Sequence, residues 1–137
     1  MFEKIMVPVD LAHRKSLARA LETAAALGKV FDAPVVYVGV TAETPTPSGH
    51  NPKEFQAHLD DFAAEESRSH GHKAEARAFP SHDPAIDLND TLLKAADEIG
   101  ADLIVMASHI PNVADHLWPS HGGQVAKRAK ASVFVVR

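Results

Sequence analysis

Four short runs of mostly branched apolar residues decide what this chain can fold into. They are KIMVPVD at Lys4 to Asp10, VVYVGV at Val35 to Val40, LIVM at Leu103 to Met106 and SVFVVR at Ser132 to Arg137. Each has the length of a strand rather than a helix, and the first three read as strands buried in a sheet whose two faces are both covered. Pro8 marks the end of the first, because proline has no N–H to give to a ladder. A fifth segment, HKAEARAF at His72 to Phe79, alternates small apolar with polar residues and predicts a strand with one less buried side.

Between these strands the apolar spacing changes to three and four residues, the period of a helix lying on a sheet. Leu17, Leu21, Ala24, Ala25, Leu27 and Phe31 form one such face, with Ser16 as its expected N-cap. Phe55, Leu59, Phe62, Ala63 and Glu66 form a second, running to about Ser69 and stopped by Gly71. Leu88, Leu92, Ala95, Ala96 and Ile99 form a third within Ile86 to Ile99, closed by Gly100. A fourth helix is expected from Gly122 to Ala129, and a turn over Ser81 to Pro84. The segment TAETPTPSGHNP from Thr41 to Pro52 has no period and reads as a long loop. Strands alternating with helices define an α/β protein, a single-domain doubly wound sandwich with a five-stranded, mainly parallel sheet and helices on both faces. One such domain accounts for all 137 residues.

In a sheet of this kind ligands bind beyond the carboxyl ends of the strands, where the strand order reverses. That reversal is expected between the first strand and Leu103 to Met106, so that Asp10 and Ala107 meet across one crevice. Ala107, Ser108 and His109 then form the floor of a site. Ser120, Gly122 and Gly123 stand where the next helix begins, and the free N–H groups of a helix start favour an anion such as a phosphate or carboxylate. For Asp10 two readings stay open: a carboxylate that accepts hydrogen bonds from ribose hydroxyls, or a cap on a backbone turn. Gly39 is expected to permit a close approach.

Other chemistries fit less well. No G-x-G-x-x-G fingerprint occurs, and the one Gly-Lys pair, Gly28-Lys29, lies inside a helical segment, so neither a Rossmann dinucleotide loop nor a Walker loop is present. Ser108, His109 and Asp10 contain the residue types of a hydrolytic triad but lack a G-x-S-x-G elbow. Nine histidines, among them His70, His72, His109, His116 and His121, show no metal-ligand spacing on a helix and read as solvated side chains. A net charge of -4 argues against nucleic acid as a partner. No apolar run approaches the roughly 18 residues of a membrane helix. No secretory n-region or h-region opens the chain and it has no cysteine, so a cytoplasmic protein without membrane insertion is expected.

The segments MVPVD, ADLIVMAS and PSHGGQVAKRAKASVFVVR resemble the universal stress protein family, from Phe2 to Arg137. The run A-S-H-x-P at Ala107 to Pro111 resembles an ATP-binding branch of it. The resemblance implies a bound adenine nucleotide, ATP or AMP, with magnesium as a possible companion. It places Pro8, Val9 and Asp10 at the adenine and ribose end, Val40 against the base, Ala107, Ser108 and His109 beside ribose and phosphates, and Ser120, His121 and Gly122 at the phosphates. Nucleotide-binding members carry glycines where this chain has Ala107, Ile110 and Pro119. Because no general base or carboxylate cluster is evident, action in stress response or regulation through partner contacts is expected, with at most a slow ATPase activity. The alternative is a family member without nucleotide that serves as an interaction module, for instance on a membrane transporter. A homodimer through the C-terminal strand is implied as well.

Overall fold

All five predicted strands and all four predicted helices form. A computed structural model describes residues 1–42, 52–108 and 121–137, with the side chains of Pro84, Ala85, His121 and Gly122 excepted. The elements run β1 (Ile5–Pro8), a 3-10 segment (Leu11–Leu17), α1 (Ala18–Phe31), β2 (Val35–Ala42), α2 (Pro52–His70), β3 (Ala74–Ser81), α3 (Pro84–Ile99), β4 (Leu103–Ala107), α4 (His121–Arg128) and β5 (Ser132–Val136). The five strands lie in the order β3-β2-β1-β4-β5, and every neighbouring pair is parallel. Chain order therefore reverses direction between β1 and β4, where the switch point was expected.

Successive strand side chains point to opposite faces, and the two faces build two cores. Ile5, Val7 and Val9 of the β1 segment join Tyr37, Val105 and the inward residues of α1 and α2. Met6 joins Val38, Ile104 and Met106 with α3 and Val125 of α4. All four residues of β1 are buried, the expected consequence of a central strand with helices above and below. Each fully buried branched side chain contributes about 1.5–3 kcal/mol relative to exposure. At the edge strand β3 burial alternates, Glu75 and Arg77 outward between the half-buried Ala74, Ala76 and Ala78.

Three elements have boundaries that differ from expectation for identifiable reasons. Ser16 is not the N-cap of the first helix: helical turns begin earlier, because the Asp10 carboxylate accepts from the Ala12 N–H at 3.0 Å and starts a 3-10 segment that runs directly into α1. Strand β3 begins at Ala74, since His72 is committed to the core, and it continues through Ser81, which pairs with Ala42 instead of opening a turn. Strand β2 extends to Ala42, so Thr41 and Ala42 leave the expected loop; residues 43–51 of that loop lie outside the described residues. Gly71 and Gly100 stop α2 and α3 with φ of +73° and +78°, the left-handed conformation that glycine adopts without penalty.

The close approach expected at Gly39 is made by α2. A Cβ at Gly39 would lie 2.7 Å from the ring of Phe55, so glycine lets this helix settle onto β2. Gly39→Ala is expected to lower stability by about 1–3 kcal/mol, read from urea unfolding, and Phe55→Leu in the same chain to recover part of the loss. An unchanged midpoint for Gly39→Ala would show that the ring moves aside freely.

Candidate functional site

The seam between β1 and β4 is fastened at one end and open at the other. At its start the Asp102 carboxylate accepts from the backbone N–H of Glu3 at 2.9 Å and of Lys4 at 3.1 Å, and the Asp102 N–H donates to the Lys4 carbonyl at 3.1 Å. The paired register then runs Ile5 to Leu103 and Met6 to Ile104, and stops. On its other side β1 stays with β2 through Pro8, and the Val9 N–H donates to the Val38 carbonyl at 2.8 Å. Likewise β4 stays with β5 through Ala107, and the Ser108 N–H donates to the Val136 carbonyl at 2.8 Å.

Proline explains where the seam opens. Ile5 and Val9 donate toward β2, and backbone donors alternate sides along a strand, so Pro8 is the residue that would have donated toward β4. Having no N–H, it ends that ladder. The earlier expectation that the strand leaves the sheet at Pro8 is thus half met: β1 leaves β4 and keeps β2. Extending the paired offset brings Val9 level with Ala107 and Asp10 level with Ser108 across the gap.

The structure therefore brings Pro8, Val9, Asp10, Ala107 and Ser108 to the carboxyl ends of two neighbouring strands, beyond the point where their paired ladder stops. Val9 and Ala107 belong to the face covered by α1 and α2. Val40 sits one strand away and packs with the α3 face. His121 and Gly122 open α4 as expected of a helix start. His109 and Ser120 lie outside the described residues, as do Ile110 and Pro119.

Asp10 satisfies the capping reading and retains capacity for the other. One carboxylate oxygen takes the Ala12 N–H; the second meets Nδ1 of His13 at 2.8 Å. Its side chain is 18% exposed and that of His13 39%. A carboxylate has about four acceptor positions, so each oxygen keeps one. The sequence reading overlooked His13, although a histidine three residues after a strand-end aspartate, within one turn, is a detectable signal.

The pair His70 and His72 has another role than the metal ligation that was weighed for it. Nε2 of His72 shares a 2.8 Å hydrogen bond with the hydroxyl of the fully buried Tyr37, and its Nδ1 is buried without a partner. His72 is thus not the solvated side chain expected. His70 approaches Glu66 at 3.3 Å, near enough for charge attraction but not aligned as a hydrogen bond. Burial, followed by the charges of His70 and Lys29, holds the His72 pKa below its ordinary value. Burial raises that of Glu66 against the opposing pull of His70, and burial with the nearby Glu66 raises that of Tyr37. Among the described residues no three His, Asp or Glu side chains gather as a metal site, and no described helix is long and apolar enough to cross a membrane.

With this geometry in view, comparisons identify the fold and its relatives. A model of the universal stress protein family matches residues 1–137; the chain belongs to that family. It is 26% identical to universal stress protein G of Shigella flexneri over 144 aligned positions, covering all of both chains. Among solved structures, a universal stress protein in complex with cAMP superimposes with a TM-score of 0.72 at 20% identity, over 99% of this chain and 97% of that one. One from Archaeoglobus fulgidus in complex with dAMP gives 0.68 at 21% identity, over 98% of both. A family member from Arabidopsis thaliana with AMP bound gives 0.65 at 16% identity, over 98% of this chain and 90% of that one.

The buried imidazole makes stability depend on pH with a definite sign. An unfolded chain takes a proton on His72 near the ordinary histidine value of about 6.5, whereas the folded chain resists it, so the native state loses stability as pH falls below that value. The urea midpoint is expected to drop between pH 7.5 and 5.5. In His72→Gln, which keeps a hydrogen-bonding group and does not titrate, the drop is smaller; Glu66 opposes the trend in both chains and cancels in the comparison. Equal pH slopes for the two chains would remove His72 as the cause.

Proposed function

We propose that this chain binds an adenine nucleotide, ATP or AMP, in the crevice between β1 and β4, and that binding alters its contacts with a protein partner. The observation that carries this reading is the β1–β4 ladder that stops after Met6 and Ile104 at the point of strand-order reversal, with Asp10 and Ser108 beyond it on the two strands. The fold relatives named above hold cAMP, dAMP or AMP, ligands that share the adenine base and a phosphate. Pro8, the backbone of Val9 and Val40 flank the base, Asp10 supplies acceptors for ribose, and Ser108 with the start of α4 supplies donors for phosphate. His109, Ser120, His121 and Gly122 complete the proposed phosphate side, with magnesium as a companion for ATP. The proposed setting is the cytoplasm, where the nucleotide is at hand.

Titration calorimetry with ATP and with AMP, each with and without magnesium, tests the reading. A dissociation constant of about 100 micromolar or tighter is expected, weakened roughly tenfold or more in Asp10→Ala through loss of hydrogen bonds to a charged acceptor. Absence of binding to either nucleotide overturns it and favours the alternative of a family member acting through protein contacts alone. Ala107, which stands where nucleotide-binding members carry glycine, is the residue to change next: Ala107→Gly is expected to tighten binding by letting the backbone approach phosphate more closely.

A homodimer through β5 belongs to the same proposal, because the two edges of the sheet are treated differently. At β3 the side-chain amide of Gln56 donates to the Ala76 carbonyl at 3.1 Å and accepts from the Ala78 N–H at 2.8 Å, covering the open backbone groups as a neighbouring strand would. Charged Glu75 and Arg77 and a proline at Pro80 further protect that edge. Strand β5 has neither charge nor proline and leaves Phe134 46% and Val135 37% exposed. Light scattering is expected to give a dimer mass, and Val135→Lys a monomer; a monomeric parent at working concentration contradicts the assignment.

A further inference from the structure

We infer that His13 is the positioning residue for the ribose-facing carboxylate of Asp10, and that it sets how well the site distinguishes a ribonucleotide from a deoxyribonucleotide. The inference rests on the nucleotide reading above and adds to it a residue which that reading does not use.

The backbone shows that the contact is built rather than incidental. Within the 3-10 segment Leu11–Leu17, His13 alone leaves helical dihedrals, with φ -128° and ψ 41°. At that kink its ring turns back onto Asp10, Nδ1 meeting Oδ2 at 2.8 Å, while its own N–H donates to the Asp10 carbonyl at 3.0 Å. The next residue goes the other way: the guanidinium of Arg14 lies 5.0 Å over the Phe62 ring and 3.8 Å from Glu65, both on α2. Arg14 thus moors the kink to the helix layer, and the kink presents His13 to Asp10.

The carboxylate is consequently held through both oxygens, by the Ala12 N–H at one and the imidazole at the other. One hydrogen bond leaves a carboxylate free to swing about its bond to Cβ; two fix its plane. Each oxygen retains one acceptor position, and two fixed acceptors match the two adjacent hydroxyls of a ribose. A carboxylate ordered before the ligand arrives spares the complex the cost of ordering it, about two- to tenfold in affinity for one side chain. Because the match needs both hydroxyls, the gain falls on AMP and largely misses dAMP.

The test compares binding of AMP and dAMP to the parent chain and to His13→Ala, His13→Leu and His13→Asn by calorimetry, with thermal unfolding to confirm that each is folded. The parent is expected to prefer AMP. His13→Ala and His13→Leu are expected to lose about three- to tenfold for AMP and little for dAMP, so the preference shrinks. His13→Asn, whose side-chain amide can place a donor near the position of Nδ1, is expected to restore it. A purely structural role would weaken both ligands equally, or leave Asn as poor as Ala, and either result overturns the inference, as does unchanged binding in all variants. A parent that binds neither nucleotide overturns the nucleotide reading and this inference with it, whereas a parent that binds both without any effect of His13 overturns the inference alone.

Discussion

Everything at the carboxyl end of this sheet depends on one pair of strands that is tied at the bottom and released at the top. Asp102 ties it, taking the first backbone donors of the β1 segment before the ladder begins. Pro8 releases it, by withholding the donor that would have carried the ladder onward. Beyond that point each strand keeps its other neighbour: Val9 remains bonded to β2 and Ser108 to β5.

The architecture was legible for reasons of pattern. Buried parallel strands need unbroken apolar runs, and VVYVGV and LIVM are such runs; helices on a sheet need a three-to-four spacing, and Leu88, Leu92, Ala95 and Ile99 have it. The order reversal was expected between β1 and β4, where the sheet has it. What stayed hidden was decided by single side chains acting over short distances. Ser16 has the composition of a cap, but Asp10 lies six residues earlier and captures a donor first. His72 has the composition of a surface residue, but Tyr37 in the centre of β2 has a hydroxyl that must be satisfied once its ring is buried. In both cases the outcome turns on a partner that the local pattern does not name.

The site was legible in part. Asp10, Ala107 and Ser108 were placed by the general rule for open α/β sheets and lie at the carboxyl ends of β1 and β4, but the register sets Asp10 level with Ser108 rather than with Ala107 as expected. The three-residue spacing of His13 from Asp10 was legible, but the fixed contact between them was not, because it depends on a break in helical geometry at His13. Val40 illustrates a different limit: it reaches the same end of the sheet but on the opposite face from Val9, a distinction that strand alternation fixes only after the register is known.

The amide of Gln56 has a consequence for assembly. A sheet with two open edges can add copies without end, the geometry of a fibre. Here one margin is closed from within by a glutamine that belongs to the same chain, so growth by strand addition is available on a single side. When two copies meet through that side, the enlarged sheet is bounded at both ends by β3 and has nowhere further to extend. In the proposed dimer that one internal amide would act as a terminator of polymerisation, setting a finite size before any second interface is considered.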